Sequence, residues 1–268
     1  MMYFTTIETI ILTKTIYDMG VRRMKKIINY AHRGASAVCP ENTMAAFVKS
    51  LELGATGIET DVQMTQDGHL VLIHDEAINR TTNGSGYVKD MTFEQLSLVD
   101  AGSWFGESFE GERIPTLEDL LKLLHQRDTI LNIELKNGIF MYPGMEEKVI
   151  NLVRQYEMSD RVVFSSFNHY SLAFCKSIAP EIRTGILYME GLYRPWDYAS
   201  TLGADALHAY HYAVLPEFVV GATEHGKEYC PFTVNEPERM RSLIEAGVAG
   251  IITDYPERLA ELLSNRGE

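Results

Sequence analysis

From Ile114 onward, short apolar runs alternate with stretches of helix length, and that rhythm limits the fold more than any single residue does. The runs lie at 130–136, 162–167, 183–188, 206–211, 229–234 and 250–254, each next to a helical stretch. Strands alternating with helices form a parallel sheet, because a parallel return needs a crossover. Two runs precede them: Ile27-Ile28, which leads into Tyr30-Ala31-His32, and the alternating Gly57-Ile58-Glu59-Thr60-Asp61-Val62-Gln63-Met64. About eight such units without a glycine-rich dinucleotide fingerprint favour a closed barrel over an open doubly wound sheet. A chain of 268 residues is long enough for one barrel domain.

The early strands end in polar residues, where α/β folds place their chemistry. In Tyr30-Ala31-His32-Arg33-Gly34-Ala35-Ser36, His32 can move a proton near neutral pH, Arg33 can grip a phosphate with a planar fork, and Gly34 permits a sharp turn. Pro40 opens an expected helix from Glu41 to Leu53, stopped by Gly54. On the next strand Glu59, Asp61 and Gln63 share one face. Thr65-Gln66-Asp67-Gly68 is a turn signal before Leu70-Val71-Leu72-Ile73-His74-Asp75. A tight hairpin centred on Gln66-Asp67 sets Glu59 across from His74, whereas a parallel return leaves no room for a helix. Either arrangement draws two carboxylates and a second histidine together. Residues 76–113 then break the rhythm and read as a small inserted subdomain over the site.

Glu59, Asp61 and Glu134 are hard oxygen donors suited to calcium or magnesium. Without a cation they would repel one another and raise their own pKa values. Such an ion stabilises charge on a phosphoryl oxygen. Arg33 and Lys136 can neutralise the remaining phosphate charge, and His32 and His74 make a base and acid pair. Taken singly, a strand-end histidine is more often structural and an E-x-D strand is commonly a solvated face. Their joint occurrence at strand ends points to a site. His208 and His211 are borderline pocket residues, and the other histidines lack such company.

The net charge of −13 argues against general nucleic-acid binding. Cys39, Cys175 and Cys230 show no metal spacing and fit a reducing compartment. Cys39, close to His32, reads as a small buried side chain beside a turn rather than a nucleophile. Residues 1–23 read as an extension outside the core, with Met24 an alternative start and a peripheral helix or oligomer contact the competing reading. The extension is too short and interrupted to span a membrane and lacks signal-peptide features, which places the protein in the cytoplasm without stable membrane insertion.

His32-Arg33-Gly34, Pro40-Glu41-Asn42-Thr43, Glu59-x-Asp61, His74-Asp75 and Glu134-Leu135-Lys136 together resemble the signature set of the glycerophosphodiester phosphodiesterases. Further matches are Arg80-Thr81-Thr82-Asn83-Gly84, Ala101-Gly102-Ser103-Trp104-Phe105, Ile114-Pro115-Thr116-Leu117 and Gly250-Ile251-Ile252-Thr253-Asp254-Tyr255-Pro256. The resemblance runs from about Met24 to Leu263, and spaced motifs in order are far more specific than any one alone. It implies a distorted TIM (β/α)8 barrel with a small insertion after the third strand, in a single catalytic domain over 24–268. It also implies hydrolysis of deacylated phospholipids to sn-glycerol 3-phosphate and an alcohol such as choline or ethanolamine. By motif match His32 is the general base and His74 the general acid. Glu59, Asp61 and Glu134 hold one divalent cation, Ca2+ or Mg2+, and Arg33 and Lys136 face the phosphate. In the route proposed for the family, the glycerol 2-hydroxyl attacks first, and water opens the resulting cyclic phosphate.

One departure concerns Pro231-Phe232-Thr233-Val234-Asn235, where family members carry tryptophan at the second position. Phe232 keeps an apolar substrate wall but loses an indole N–H donor, which bears on substrate preference. Two other readings stay open: a lysophospholipase D-like activity on single-chain lipids, and a non-catalytic barrel that binds a phosphate ligand. Leaving-group alcohol, choice of ion and oligomeric state are not legible in the sequence.

Overall fold

A computed structural model describes residues 26–265, so the reading of residues 1–23 lies outside the described residues. The strands are β1 (Ile28–His32), β2 (Gly57–Met64), β3 (Leu70–Leu72), β4 (Ile130–Leu135), β5 (Val162–Ser166), β6 (Arg183–Tyr188), β7 (Ala206–Ala209), β8 (Glu228–Tyr229) and β9 (Gly250–Thr253). The α-helices are α1 (Met44–Glu52), α2 (Phe93–Ser97), α3 (Leu117–Leu124), α4 (Met145–Gln155) and α5 (His169–Ile178). They continue as α6 (Pro195–Thr201), α7 (Pro216–Glu224), α8 (Pro237–Ala246) and α9 (Pro256–Ser264).

The sheet runs β8-β7-β6-β5-β4-β2-β1-β9, parallel throughout, with β3 antiparallel on β2 and off this path. Its two ends meet. Ala249 N–H donates to the Tyr229 carbonyl at 2.9 Å, Ile252 N–H to Pro231 at 3.0 Å, and Val234 N–H to Ile252 at 2.9 Å. The result is an eight-stranded TIM barrel with an insertion after β3.

Each barrel strand is buried on both faces because helices cover the outside. Ile58, Val62, Leu131, Ile133 and Phe164 share one core with Leu117, Leu120, Leu121 and Leu124 of α3. That helix begins with a capping box, the Thr116 side chain accepting from Asp119 N–H while Asp119 accepts from Thr116 N–H. Helices α6 to α9 each start on proline, whose missing N–H costs nothing in a first turn. The residues between β3 and α3 form a second small core in which Ile73, Ile78, Val88, Leu96 and Ile114 pack with Val71 of β3.

Three local features differ from the sequence reading. The first helix starts at Met44, not Glu41, because Asn42 is left-handed at φ 55° and Thr43 is the N-cap, accepting from Ala46 N–H. The hairpin register is shifted by one residue. Val62 faces Leu72 and Met64 faces Leu70, around a loop in which Gly68 sits at φ 84°, so Glu59 does not face His74. The eighth barrel strand is shorter than 229–234, since Pro231 has no N–H for the ladder. The chain nevertheless stays in line, as Cys230 N–H donates to Leu207 O at 3.0 Å and Phe232 N–H to Ala209 O at 3.0 Å.

Inside the barrel, fully buried Tyr30 needs glycine on both neighbouring strands. A Cβ at Gly57 would stand 2.6 Å from the ring, and one at Gly250 would stand 2.8 Å from it. Gly57→Ala is therefore expected to destabilise the protein by about 1–3 kcal/mol through overpacking. Thermal denaturation compared with Gly138→Ala, where an added Cβ meets nothing within 4 Å, checks this.

Candidate active site

The barrel alternation brings the sequence-predicted residues to one mouth. On β2, Glu59 and Asp61 point into the lumen while Ile58 and Val62 point to the helices. The parallel register sets Asp61 beside Glu134 of β4. One oxygen from each of Glu59, Asp61 and Glu134 lies within 4.8 Å of the others, a set able to hold a metal ion. The donors are all carboxylates, the hard class that calcium and magnesium take.

Packing these charges together has an electrostatic consequence. Glu59 is raised well above the ordinary glutamate range by burial, then by Asp61 and Glu134. Glu134 is pushed up to about 7 by burial and then by Asp61, against the pull of Lys136. Asp61 behaves oppositely. Burial works against its charge, but Arg33, His74, Lys136 and a hydrogen bond from Asn42 hold its carboxyl low.

The cations sit where these charges need them. Arg33 Nε lies 3.3 Å from Asp61 Oδ2, and Arg33 N–H donates to Glu59 Oε2 at 3.1 Å. Lys136 Nζ donates to Glu134 Oε1 at 3.0 Å and stands 3.9 Å from Asp61. Arg33 has φ 55°, a conformation that costs energy in a residue with a side chain and is held by its surroundings. Gly34 beside it, at φ 81°, admits no Cβ because Ala46 is 2.6 Å from where one would lie. Asn42 links this loop to β2, donating to Asp61 Oδ2 at 2.9 Å and accepting from the Thr60 hydroxyl at 2.8 Å.

Each of the two histidines is tied to a carboxylate through Nδ1. His32 Nδ1 is 2.6 Å from Asp254 Oδ1, and His74 Nδ1 is 2.6 Å from Asp75 Oδ1. An ionised carboxylate only accepts, so Nδ1 carries the proton and Nε2 is left for a reacting group. Asp254 lies just beyond β9 and also accepts from Ser36 Oγ at 3.0 Å and Asn235 Nδ2 at 2.6 Å. Burial opposes its charge, yet these bonds bring it down to about 2. Burial lowers the His74 pKa, with Arg33 and Lys136 adding to the effect and Asp61 and Asp75 opposing it.

A clasp from the insertion holds the second pair. Arg80 donates to Asp75 Oδ2 at 2.7 Å and to both Glu41 oxygens at 2.8 and 2.7 Å, and Glu41 accepts in turn from Arg33 at 2.8 Å. Hydrogen bonding from Arg80, then from His74, holds Asp75 near 2 against its burial. Gln63 secures the backbone beneath, donating to the carbonyls of His74 at 3.0 Å and Asp75 at 2.7 Å.

Asp254, Asn235, Asn42, Glu41 and Arg80 were not singled out as site residues from sequence. Each stands inside a quoted motif, which is the signal that pointed to them. Phe232 comes to the mouth on the far side from the carboxylates, its ring 6.2 Å from Phe167. His208 and His211 do not join the charged cluster. His208 is fully buried over Gly185, and burial, then Arg183, drives its pKa down to about 3. His211 is buried against Tyr212. Cys39 is buried, and burial pushes its thiol pKa up, away from thiolate chemistry.

Among known proteins, the sequence pattern of the glycerophosphoryl diester phosphodiesterase family matches residues 32–258. The glycerophosphodiester phosphodiesterase of Caldanaerobacter subterraneus subsp. tengcongensis is 50% identical over 90% of this chain and 100% of its own length. That of Bacillus altitudinis is 43% identical over 87% of this chain and 96% of its own. A phosphodiesterase of Oleispira antarctica, solved with the product sn-glycerol-3-phosphate, superposes with a TM-score of 0.83 at 28% identity, over 92% of this chain and 98% of that one. The match over residues 32–258 and the 50% identity to a full-length relative show that this chain belongs to the glycerophosphoryl diester phosphodiesterase family and is a phosphoric diester hydrolase.

Proposed function

We propose that the enzyme hydrolyses water-soluble glycerophosphodiesters to sn-glycerol 3-phosphate and an alcohol, with His32 as general base, His74 as general acid and one divalent cation on Glu59, Asp61 and Glu134. The observation that carries this is the pairing of two Nδ1-anchored histidines with a buried three-carboxylate cluster at one barrel mouth. A bound cation would withdraw electron density from a phosphoryl oxygen and cancel the repulsion among the three carboxylates. Arg33 and Lys136 orient the phosphate. His32 Nε2 takes the proton from the attacking glycerol 2-hydroxyl as oxygen bonds to phosphorus. The bond to the alcohol breaks, and His74, entering the step as the imidazolium with Nδ1–H held by Asp75, gives its Nε2 proton to the alcohol oxygen. In the second step His74 Nε2 takes a proton from a water as its oxygen bonds to phosphorus, the bond from phosphorus to the glycerol 2-oxygen breaks, and His32 Nε2 returns its proton to that oxygen. The lowered proton affinity of His74 suits a group that must release a proton.

All chemistry-bearing positions are filled and converge, which supports catalysis over mere ligand binding. No helix among the described residues is long and apolar enough to cross a membrane. The three cysteines are unpaired and buried, which fits the reducing cytoplasm as the working compartment.

Release of sn-glycerol 3-phosphate from glycerophosphocholine is expected with calcium or magnesium and not with EDTA. His32→Ala and Glu59→Gln are each expected to lower kcat by at least about 100-fold, in keeping with loss of a general base or of charge stabilisation. Faster turnover of lysophosphatidylcholine than of glycerophosphocholine would instead establish the single-chain-lipid reading.

Arg80 touches neither histidine directly, so Arg80→Ala is expected to lower kcat by about 10-fold with little change in KM, and Arg80→Lys to recover only part, lacking the two-pronged fork. Steady-state kinetics separate the two parameters.

The metal-free protein carries a pH signature. With Glu134 raised from 4.5 to about 7 in the fold, folded protein binds the proton more tightly than unfolded chain. Its stability contribution is thus full below about 4.5 and is lost as pH rises through about 7. In EDTA, the stability of Glu134→Gln relative to wild type should therefore increase between pH 5 and pH 8, as read by urea denaturation.

A further inference from the structure

The mouth is divided by chemistry. Every charged group of the site comes from β1 and the loop after it, β2, the segment after β3, β4 and the residue after it, and the residue after β9. The β5 to β8 side offers aromatic rings instead. Lumen-facing order with a period of two carries Ser165 to Phe167 beyond β5, and Cys230 to Phe232 beyond β8. The register pairs Glu134 with Ser165, so Phe167 stands one step further out, level with Lys136.

The rings of Phe167 and Phe232 meet edge to face, with centroids 6.2 Å apart and planes at 88°. Their strands are not neighbours, since β6 and β7 lie between them. Three interstrand steps along the barrel wall span about 14 Å. The rings therefore meet by reaching across the opening rather than along the wall, where Leu187 and His208 of the intervening strands pair with each other at the level of Phe167. Tyr210, bridged to Phe232 across β7 and β8, adds a third ring at 6.4 Å, tilted by 55°. Phe167 remains 46% exposed, which a structural phenylalanine would not need.

A diester with its phosphate between Arg33 and Lys136 has two arms. The glycerol arm carries hydroxyls that lose hydrogen bonds against bare phenyl rings. A methylated ammonium has no N–H to satisfy and is attracted by π-faces. The chain's net charge of −13 adds a field that favours a cation. Resting on the hydrolase reading above, we propose that the corner of Phe167, Phe232 and Tyr210 is the subsite for the alcohol arm, and that it selects a methylated-ammonium alcohol over a neutral polyol.

The test compares glycerophosphocholine, glycerophosphoethanolamine and glycerophosphoglycerol on wild type, Phe167→Ala and Phe167→Trp. Phe167→Ala is expected to reduce kcat/KM for glycerophosphocholine by about 5- to 30-fold more than for glycerophosphoglycerol, with glycerophosphoethanolamine between. Phe167→Trp is expected to keep or increase the preference, since indole is the strongest π-partner. Equal losses on all three substrates would assign the corner to the glycerol arm or to structure, and unchanged ratios would remove it from the site. Both results overturn the proposal. Broadening of the choline methyl proton signal by wild type, and its loss with Phe167→Ala, reads the same subsite without turnover. Choline binding without any hydrolysis would support the corner while refuting the hydrolase reading, and hydrolysis without choline binding or discrimination would do the reverse.

Discussion

Three carboxylates held within 4.8 Å of one another in a buried barrel mouth are the constraint from which the rest of the site follows. Like charges on neighbouring strands repel, and a low-dielectric surrounding strengthens the effect. The chain meets this with Arg33 and Lys136 on the flanks and an amide from Asn42 at Asp61. These partners favour Asp61 and leave Glu59 and Glu134 with raised pKa values. Glu59 and Glu134 are thus the two carboxyls whose ionised form a bound divalent cation would favour most.

The two histidines are fixed by unrelated parts of the chain. His32 leans on Asp254, which arrives at the closure of the barrel, where β9 comes back to β1. His74 leans on Asp75, which Arg80 of the insertion locks to Glu41 in the first loop. Barrel closure and insertion docking are thereby both read out as histidine orientation. A change far from the mouth can misplace either histidine without touching the carboxylate cluster, and reacting geometries are sensitive to displacements of about 1 Å.

The opposite side of the mouth obeys a different rule. Phe167 is half exposed, and with Phe232 and Tyr210 it forms an aromatic corner above the lumen core of Tyr30, Cys230 and Ile252, against which Phe232 packs. Charge on one side and π-faces on the other give a diester a direction in which to lie.

Much of this was legible in the residues. Period-two alternation placed Glu59 and Asp61 on one face, and strand–helix rhythm gave the barrel. The hairpin register was read one residue off, because a loop with left-handed Gly68 and a two-residue turn share the same residue types. Helix α1 was started too early, because Asn42 looks helix-compatible until Asp61 draws its side chain inward. By itself the sequence determined the fold class and the set of chemical groups, since both depend on local pattern and residue type. Only the tertiary structure decided the partnerships: Asp254 with His32 across 222 residues, Arg80 with Glu41 across 39, and Phe167 with Phe232 across the barrel opening. Such pairings depend on barrel closure and ladder register, which no local stretch of sequence encodes.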